Sequence, residues 1–182
     1  MRRLILTAAA VLALGAGAVV YTKAMAWLAP GTPPVMATPA DQADRIRVEK
    51  SARRLHLYRG TQLMRSYDIA LGGAPADGPK AQEGDERTPE GSYRIDWRNP
   101  GSVAHLSLHI SYPDATDMAA ARAAGVSPGG NIMIHGLPNG WGWLGRAHLM
   151  ADWTDGCIAV TNAEMVEIWA LVPDGTVIEI LP

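Results

Sequence analysis

From residue 45 onward the sequence consists of short segments in which apolar and polar residues alternate, and this feature constrains the fold most. Ile46 and Val48 alternate with charged neighbours, and Leu55 and Leu57 repeat the pattern after a short turn. A period of two is typical of a strand with one buried face. Similar strand-like segments lie at 63–71, 92–98, 105–112, 131–135, 157–160 and 176–181. We therefore predict a β-rich α+β domain whose first three strands form a meander.

Two short helices are expected among these strands. A run that begins with aspartate and ends with glycine predicts a helix over 115–124. A second helix is predicted after Asn162, which we assign as its N-cap, with Glu164 in its first turn. The apolar residues Met165 and Ile168 then follow at helical spacing.

The first 28 residues differ from everything that follows. Arg2 and Arg3 precede an uncharged stretch over 4–22, and the small residues around 24–26 resemble a cleavage site. The stretch is also just long enough to span a bilayer. A cleaved signal peptide and an uncleaved inner-membrane anchor therefore both remain open for residues 1–28. Either one predicts a periplasmic or cell-envelope location for the rest of the chain.

The region after this segment divides into a linker and one folded unit. Residues 29–44 are rich in proline, alanine and threonine, which predicts an extended linker, and a single domain is expected over 45–182. With 48% hydrophobic and 19% charged residues and a net charge of −2, the composition is that of an ordinary globular protein. No basic stripe is present, so we expect no nucleic-acid partner.

Cys157 is the only cysteine of the chain. In an exported protein, a single cysteine is an intermolecular partner, a reactive thiol or a buried inert residue. Cys157 begins one strand-like segment and His135 ends another, so a long loop could bring both to the same rim of a sheet. An imidazole that takes the thiol proton would leave an ion pair and a nucleophile for acyl transfer. On this pattern alone, a catalytic pair and a buried cysteine beside a core histidine are equally well supported.

Three motifs occur in an order that resembles the L,D-transpeptidase catalytic domain, also called the YkuD domain. They are RTPEGSYRI at 87–95, IMIHG at 132–136 and TDGCIAVTN at 154–162. The resemblance covers residues 45–182. It implies mixed β-sheets arranged as a β-sandwich with short helices. It also implies a cysteine acyltransferase that acts on peptidoglycan stem peptides and uses neither cofactor nor metal.

The resemblance assigns roles to individual residues. It implies that Cys157 is the nucleophile and His135 its base. The carbonyl of Gly136 would orient the imidazole ring, and the amides of Gly156 and Cys157 would form an oxyanion hole. Thiolate attack on a stem-peptide carbonyl would give a thioester, which an amine or water would then resolve.

The sequence departs from the family motif at two positions. Asp155 stands where the motif has a second histidine, and Ala159 replaces a polar residue. These changes resemble the branch of YafK-type proteins, some of which hydrolyse peptidoglycan amide bonds. Asp155 is therefore a further candidate, either to orient His135 or to bind substrate. Transpeptidation is our preferred interpretation; a hydrolase of carboxypeptidase or amidase type and a non-catalytic peptidoglycan-binding module remain alternatives.

A glycine-rich segment between the IMIHG and TDGCIAVTN motifs contains Trp141, Trp143 and Arg146. We interpret it as a lid whose tryptophans contact substrate and whose arginine binds a stem-peptide carboxylate. A surface loop pinned by buried tryptophans explains the same residues equally well.

His109 is the last substrate-binding candidate. It lies four residues after His105, so on a strand the two would share a face. A metal site built on these histidines is disfavoured, because no carboxylate or cysteine spacing supports it. We expect polar strand positions, with His109 close enough to the strand end to contact substrate.

Overall fold

A computed structural model describes residues 2–74 and 78–182. Met1, the first residue of the predicted N-terminal segment, lies outside the described residues. The elements in chain order are α1 (Arg2–Leu28), β1 (Arg45–Glu49), β2 (Arg54–Arg59), β3 (Gln62–Asp68), β4 (Gly91–Asn99), β5 (Ser107–Ile110), α2 (Ala115–Ala124), β6 (Met133–His135), β7 (Ile158–Ala159), α3 (Asn162–Leu171) and β8 (Val177–Leu181). A 3₁₀ segment, Gly142–Met150, lies between β6 and β7.

The eight strands form one mixed sheet in the order β3-β2-β1-β8-β4-β5-β6-β7. β1 pairs with β8 and β6 pairs with β7 in parallel, whereas the other neighbours are antiparallel. The antiparallel β1, β2 and β3 form the predicted meander. The prediction of a β-rich α+β domain is confirmed, with a curled mixed sheet.

The sheet curls because the chain after β3 crosses to the opposite edge. Ala70 and Ala159 exchange two main-chain hydrogen bonds, of 3.0 and 2.8 Å. Gly72 forms a further bridge to Thr154. The predicted third strand therefore ends earlier than expected, at Asp68, and its last residues pair with β7 instead. This closure fixes the segment that leads into Cys157.

The core is formed by the apolar residues that alternate along the strands. The side chains of Ile46, Val48, Leu55 and Leu57 are fully buried, as the period of two predicts. Burying each such side chain contributes roughly 1.5–3 kcal/mol. α3 covers the sheet over β5 and β6 with buried residues that include Trp169. The packing of α3 therefore supports the part of the sheet that carries His135.

The predicted N-cap of α3 is wrong by one residue. Thr161 is the N-cap, because its hydroxyl accepts from the amide of Glu164, whose side chain returns to the amide of Thr161. This reciprocal pair is a capping box. Asn162 instead turns its side chain to the neighbouring loop, where its Oδ1 accepts from the amide of Leu137 at 2.8 Å.

α1 packs its C-terminal end against the loop that follows β6. The Tyr21 hydroxyl donates to the Gly140 carbonyl at 3.0 Å, and the Trp141 indole donates to Thr22 Oγ1 at 2.9 Å. Within the part of the chain that the structure describes, no helix combines the length and hydropathy needed to cross a bilayer.

The segment between α1 and β1 runs along the domain. The amide of Gly31 donates to the carbonyl of His105 at 2.9 Å. Further on, the amides of Ala37 and Ala43 donate to carbonyls at the end of α3. These bonds hold the proline-rich segment against the domain over much of its length.

Candidate active site

His135 ends β6 and is nine-tenths buried. Its Nδ1 lies 2.6 Å from the carbonyl oxygen of Gly136. Because a carbonyl only accepts, Nδ1 carries the proton and Nε2 is left as an acceptor. Burial lowers the pKa of His135 below its ordinary value, and nearby His148 lowers it further, against the opposing hydrogen bond to Gly136. The ring is therefore neutral and available as a base.

Gly136 needs its small size to hold this ring. A Cβ at this position would lie 2.8 Å from Asn162 Oδ1 and 2.9 Å from the Cβ of His105. The main chain at Gly136 therefore passes too close to Asn162 and His105 to leave room for a side chain. Asn162 Oδ1 also accepts from the amide of the following residue, Leu137. The carbonyl that orients His135 is held by main-chain packing.

Cys157 lies just before β7 and is partly buried. Its Sγ donates to the carbonyl of Asn131 at 3.6 Å. Burial raises the pKa of the Cys157 thiol; the Met133 amide opposes this rise and the charge of Asp155 adds to it. Burial thus favours the uncharged form of each group taken separately, a thiol and an imidazole, and the ion pair between them stays a prediction.

The pairing of β6 with β7 brings these side chains to one face. Ile134 is in register with Ile158, so His135 and Cys157 lie on the opposite side of the sheet from that pair. Both line a cavity of about 410 Å³, which we call the cysteine chamber. Its other walls include Ser107, Met133, Trp153, Asp155, Thr22 and Ala26.

Gly156 has a backbone conformation that favours glycine, with φ of 111°. A Cβ there would lie 2.5 Å from the carbonyl of Arg87. Its amide donates to Thr154 Oγ1 at 3.3 Å, and the same hydroxyl donates to the Cys157 carbonyl at 2.7 Å. The Gly156 amide, predicted to be part of an oxyanion hole, is thus engaged within the turn.

Asp155 is exposed at the edge of the cysteine chamber. Among the described residues its carboxylate makes no hydrogen bond to His135, whose ring is oriented by the Gly136 carbonyl instead. Its effect on the site is electrostatic, through the raised pKa of Cys157.

The loop over 78–90 supports this turn from outside. Lys80 and Asp85 form an ion pair of 2.9 Å whose side chains are only 4% and 7% exposed. Asp85 also accepts from the amides of Ala81, Gln82 and Arg87. These hydrogen bonds outweigh burial and lower the pKa of Asp85 to about 2. The charged residues of this loop thus hold the Arg87 carbonyl against Gly156.

The tryptophans of the predicted lid occupy different positions. Trp141 lines a second cavity of about 250 Å³ beside the cysteine chamber, which we call the aromatic chamber. Its walls are Thr22, Leu137, Pro138, Trp141, Leu144, His148 and Trp153. Trp143 is 73% exposed and packs against Trp141, with ring centroids 6.0 Å apart.

Arg146 and His109 lie outside the walls of both chambers. Arg146 is 66% exposed, pairs with Asp68 and lines a separate depression, so the structure does not bring it to Cys157. His109 shares its sheet face with Ser107, but its Nδ1 donates to Asp96 at 2.6 Å and its ring stacks on Trp97. His105 precedes β5 with φ of 63°, so the prediction that the two histidines share one face of a strand is wrong.

Sequence reasoning missed two kinds of contributor. Asn131 and Met133 reach the thiol through main-chain atoms, which no side-chain pattern could reveal. Trp153 lies between two histidines, with its ring centroid 5.7 Å from that of His135 and 6.3 Å from that of His148. Its position beside the cysteine motif was the only signal for that role.

Comparison with known proteins identifies the family. Residues 43–180 match the model of the YkuD family, the L,D-transpeptidase catalytic domain. The chain belongs to this family. The resemblance noted in the sequence is thereby confirmed.

A curated relative from Escherichia coli (strain K12) bears the name "Putative L,D-transpeptidase YafK". It is 34% identical over 137 residues, which cover 70% of this chain and 46% of the relative. The same identity and coverage hold for YafK of Escherichia coli O157:H7. The chain thus spans about half the length of the curated relatives it matches.

Solved structures share the fold at lower sequence identity. Pgp2 of Campylobacter jejuni, described as a helical cell shape determining protein, has a TM-score of 0.56 at 21% identity, over 87% of this chain and 54% of that chain. Bd1075 of Bdellovibrio bacteriovorus has a TM-score of 0.53 at 22% identity, over 84% and 52% of the two chains. An L,D-transpeptidase from Mycobacterium smegmatis has a TM-score of 0.51 at 12% identity, over 77% and 59%.

Proposed function

We propose that this domain is a cysteine acyltransferase of the bacterial cell wall that acts on peptidoglycan stem peptides through a thioester on Cys157. One observation supports it most: Cys157 and His135 line the same chamber, and the Gly136 carbonyl leaves Nε2 of His135 as a proton acceptor. Membership of the L,D-transpeptidase family supports the same conclusion. The roles of the individual residues are part of this proposal.

In this mechanism the resting thiol and imidazole are both neutral. As Sγ of Cys157 attacks a stem-peptide carbonyl carbon, its proton passes to Nε2 of His135. The carbonyl oxygen becomes an oxyanion, which the Cys157 amide stabilises, because the Gly156 amide is engaged with Thr154. Collapse of the intermediate breaks the C–N bond, and the imidazolium returns its proton to the departing amine. A thioester on Cys157 remains.

An amine acceptor or water then resolves the thioester. Attack by an amine forms a new amide and corresponds to transpeptidation, whereas attack by water releases an acid. In either case His135 accepts the proton of the attacking group, and the thiol is regenerated. Asp155 supports transfer, because a carboxylate at the chamber edge attracts an acceptor that arrives as an ammonium ion.

The setting of the reaction belongs to the same proposal. A domain that acts on peptidoglycan works in the cell envelope, the location that either a cleaved or an anchored N-terminal segment would give. Both chambers include residues of α1 and are therefore those of the chain that retains this segment. A contribution to cell-wall organisation and cell shape would follow from stem-peptide chemistry.

The test uses the full chain in detergent micelles, a synthetic stem tetrapeptide and an amine acceptor. Intact-mass measurement is expected to detect an acyl adduct on the wild type and none on Cys157→Ala, which should lose turnover. His135→Gln should lower turnover by about 10²- to 10⁴-fold while the adduct site is retained.

The products separate the alternatives. An amide product that depends on the acceptor supports transpeptidation, whereas release of acid at the same rate without acceptor identifies a hydrolase. Stem-peptide binding with neither adduct nor product would identify a non-catalytic binding module and overturn the enzyme proposal.

A further inference from the structure

The aromatic chamber adjoins the cysteine chamber but has a different lining. The two chambers share Thr22, Pro138 and Trp153 as common walls. Trp153 stands between His135 on one side and His148 on the other. A substrate bound at Cys157 therefore has the aromatic chamber as its immediate neighbour.

His148 is the unusual wall of the aromatic chamber. It is only 7% exposed, and both of its ring nitrogens are buried without a hydrogen-bond partner among the described residues. Buried polar groups are nearly always satisfied, and leaving one unpaired costs folding free energy. A neutral imidazole offers one donor and one acceptor. An occupant with a carbonyl group would satisfy the donor.

The remaining walls define the charge of the occupant. They are apolar except for the hydroxyl of Thr22, which already accepts from the Trp141 indole and donates to the Ala18 carbonyl. No lysine, arginine, aspartate or glutamate is among these described wall residues. An ammonium group buried here would have no acidic partner among these described walls, and a carboxylate could pair only by drawing a proton onto His148, whose pKa burial lowers. An uncharged group is therefore favoured.

The volume defines the size of the occupant. At about 250 Å³ the chamber is larger than the cavity of about 150 Å³ that holds benzene. It is smaller than the range, from about 300 Å³ upward, that is usual for pockets enclosing a whole ligand. It therefore fits one unit of a longer substrate whose reacting carbonyl lies in the cysteine chamber.

We propose that the aromatic chamber is a substrate subsite that takes an uncharged amide unit with a small apolar side chain, which packs against the tryptophans while its carbonyl bonds to His148. This inference rests on the proposed function, because the reacting carbonyl of the same substrate lies in the cysteine chamber. It implies that a free carboxylate terminus is excluded from this subsite.

The first test measures binding without requiring turnover. The full chain is labelled with [¹⁵N]histidine in detergent micelles, and the His148 resonances are assigned by their loss in His148→Gln. N-acetyl-alanine methylamide is the neutral probe, and N-acetyl-alanine, which is a carboxylate at neutral pH, is its matched control. We expect the neutral probe to shift the His148 ring resonances and the carboxylate to bind at least about tenfold more weakly.

Variants test the hydrogen bond itself, with tryptophan fluorescence as the readout. His148→Leu should weaken the neutral probe by about five- to tenfold, and His148→Gln, which keeps a donor, should restore part of the loss. His56→Gln on strand β2, a residue that lines neither chamber, is the control and should bind like the wild type. If either His148→Leu or His148→Gln fails to fold, the binding of the neutral probe and of N-acetyl-alanine can still be compared in the other variant and in the wild type.

Two outcomes would overturn the subsite: no shift of His148 with the neutral probe, or equal binding of the carboxylate. Failure of the proposed function looks different. In that case the probe binds at His148, yet no stem peptide acylates Cys157.

Discussion

The cysteine chamber and the aromatic chamber share Trp153 but are held together in different ways. The main chain positions the first: the Gly136 carbonyl holds the ring of His135, and the turn at Gly156 places Cys157. Side chains of a loop, together with Thr22 from α1, form most of the second. We infer that main-chain changes at the first chamber impair turnover, whereas side-chain changes at the second alter substrate binding.

The two chambers also differ in charge. Asp155 places a carboxylate at the edge of the cysteine chamber, while the described walls of the aromatic chamber carry no ionised group. An ammonium acceptor and an uncharged substrate unit would therefore be drawn to different chambers. The following substitutions test these contrasts, beginning with the largest expected effect.

Gly156→Ala should be the most damaging change. Alanine would adopt an unfavourable φ of 111°, and its Cβ would lie 2.5 Å from the Arg87 carbonyl. We expect a loss of about 3 kcal/mol in the free energy of unfolding and at least a roughly hundredfold loss of turnover. Urea unfolding and stem-peptide kinetics measure the two effects.

Gly60→Ala is the matched control for that substitution. Gly60 has a φ of 55°, but no atom lies within 4 Å of its added Cβ. The cost should be about 1–2 kcal/mol, with turnover unchanged. Equal losses at both glycines would contradict the importance of the close approach at Gly156.

Asp152→Ala tests how the end of the loop is attached to the sheet. Its carboxylate accepts from Arg53 and, at 2.7 Å, from the amide of Leu71, and its side chain is 17% exposed. Because the Leu71 amide would lose its acceptor, we expect a loss of about 2–3 kcal/mol in thermal or urea unfolding. Asp174→Ala removes the more exposed pair with Arg98 and should cost less than about 1 kcal/mol.

Acidification should destabilise the protein through its buried histidines. Burial lowers the pKa of His135 and of His148 below the ordinary value of 6.5. The unfolded chain therefore binds more protons as the pH falls, so this stability is fully present above 6.5 and is lost below it. Urea unfolding between pH 7.5 and about 5 checks the slope. His148→Leu should flatten the slope without reducing stability at neutral pH; an unchanged slope would contradict this account.

Thr22→Val should have the smallest effect. It removes the acceptor of the Trp141 indole, a contact that joins α1 to the wall shared by both chambers. One hydrogen bond is worth about 0.5–1.5 kcal/mol, so the melting temperature should change little while the tryptophan emission shifts. Thr116→Val in α2 is the control and should leave the emission unchanged, because the hydrogen bond described for Thr116 is made by its amide to Asp114 and involves no tryptophan.

Local patterns predicted much of the fold. The alternation at Ile46 and Leu55 located β1 and β2, because side-chain direction along a strand repeats every two residues. The prediction failed where a residue's partner is distant in sequence. The segment after Asp68 continues the strand pattern but pairs with Ala159, and Asn162 serves Leu137 instead of capping its own helix.

In the candidate site, too, the sequence predicted what depends on local motifs and missed what depends on contacts between distant residues. The motif order singled out His135, Cys157 and Gly136 as residues that would lie together. The structure brings His135 and Cys157 to one chamber, and the Gly136 carbonyl contacts the ring of His135. The sequence could not indicate that Arg146 faces Asp68, because the direction of a long side chain in a loop depends on its neighbours in space. The role of His148 was missed for the same reason, since its burial depends on Trp153 and α1.

The sequence by itself determined which residues are buried along the strands, and which side chains carry reactive groups, because both depend on residue type and local spacing. Only the tertiary structure decided that the sheet curls through Ala70, that burial shifts the pKa values of the thiol and the imidazole toward their uncharged forms, and that a second chamber without ionised walls adjoins them. These properties depend on desolvation and on contacts between residues far apart in the chain, which no local pattern contains.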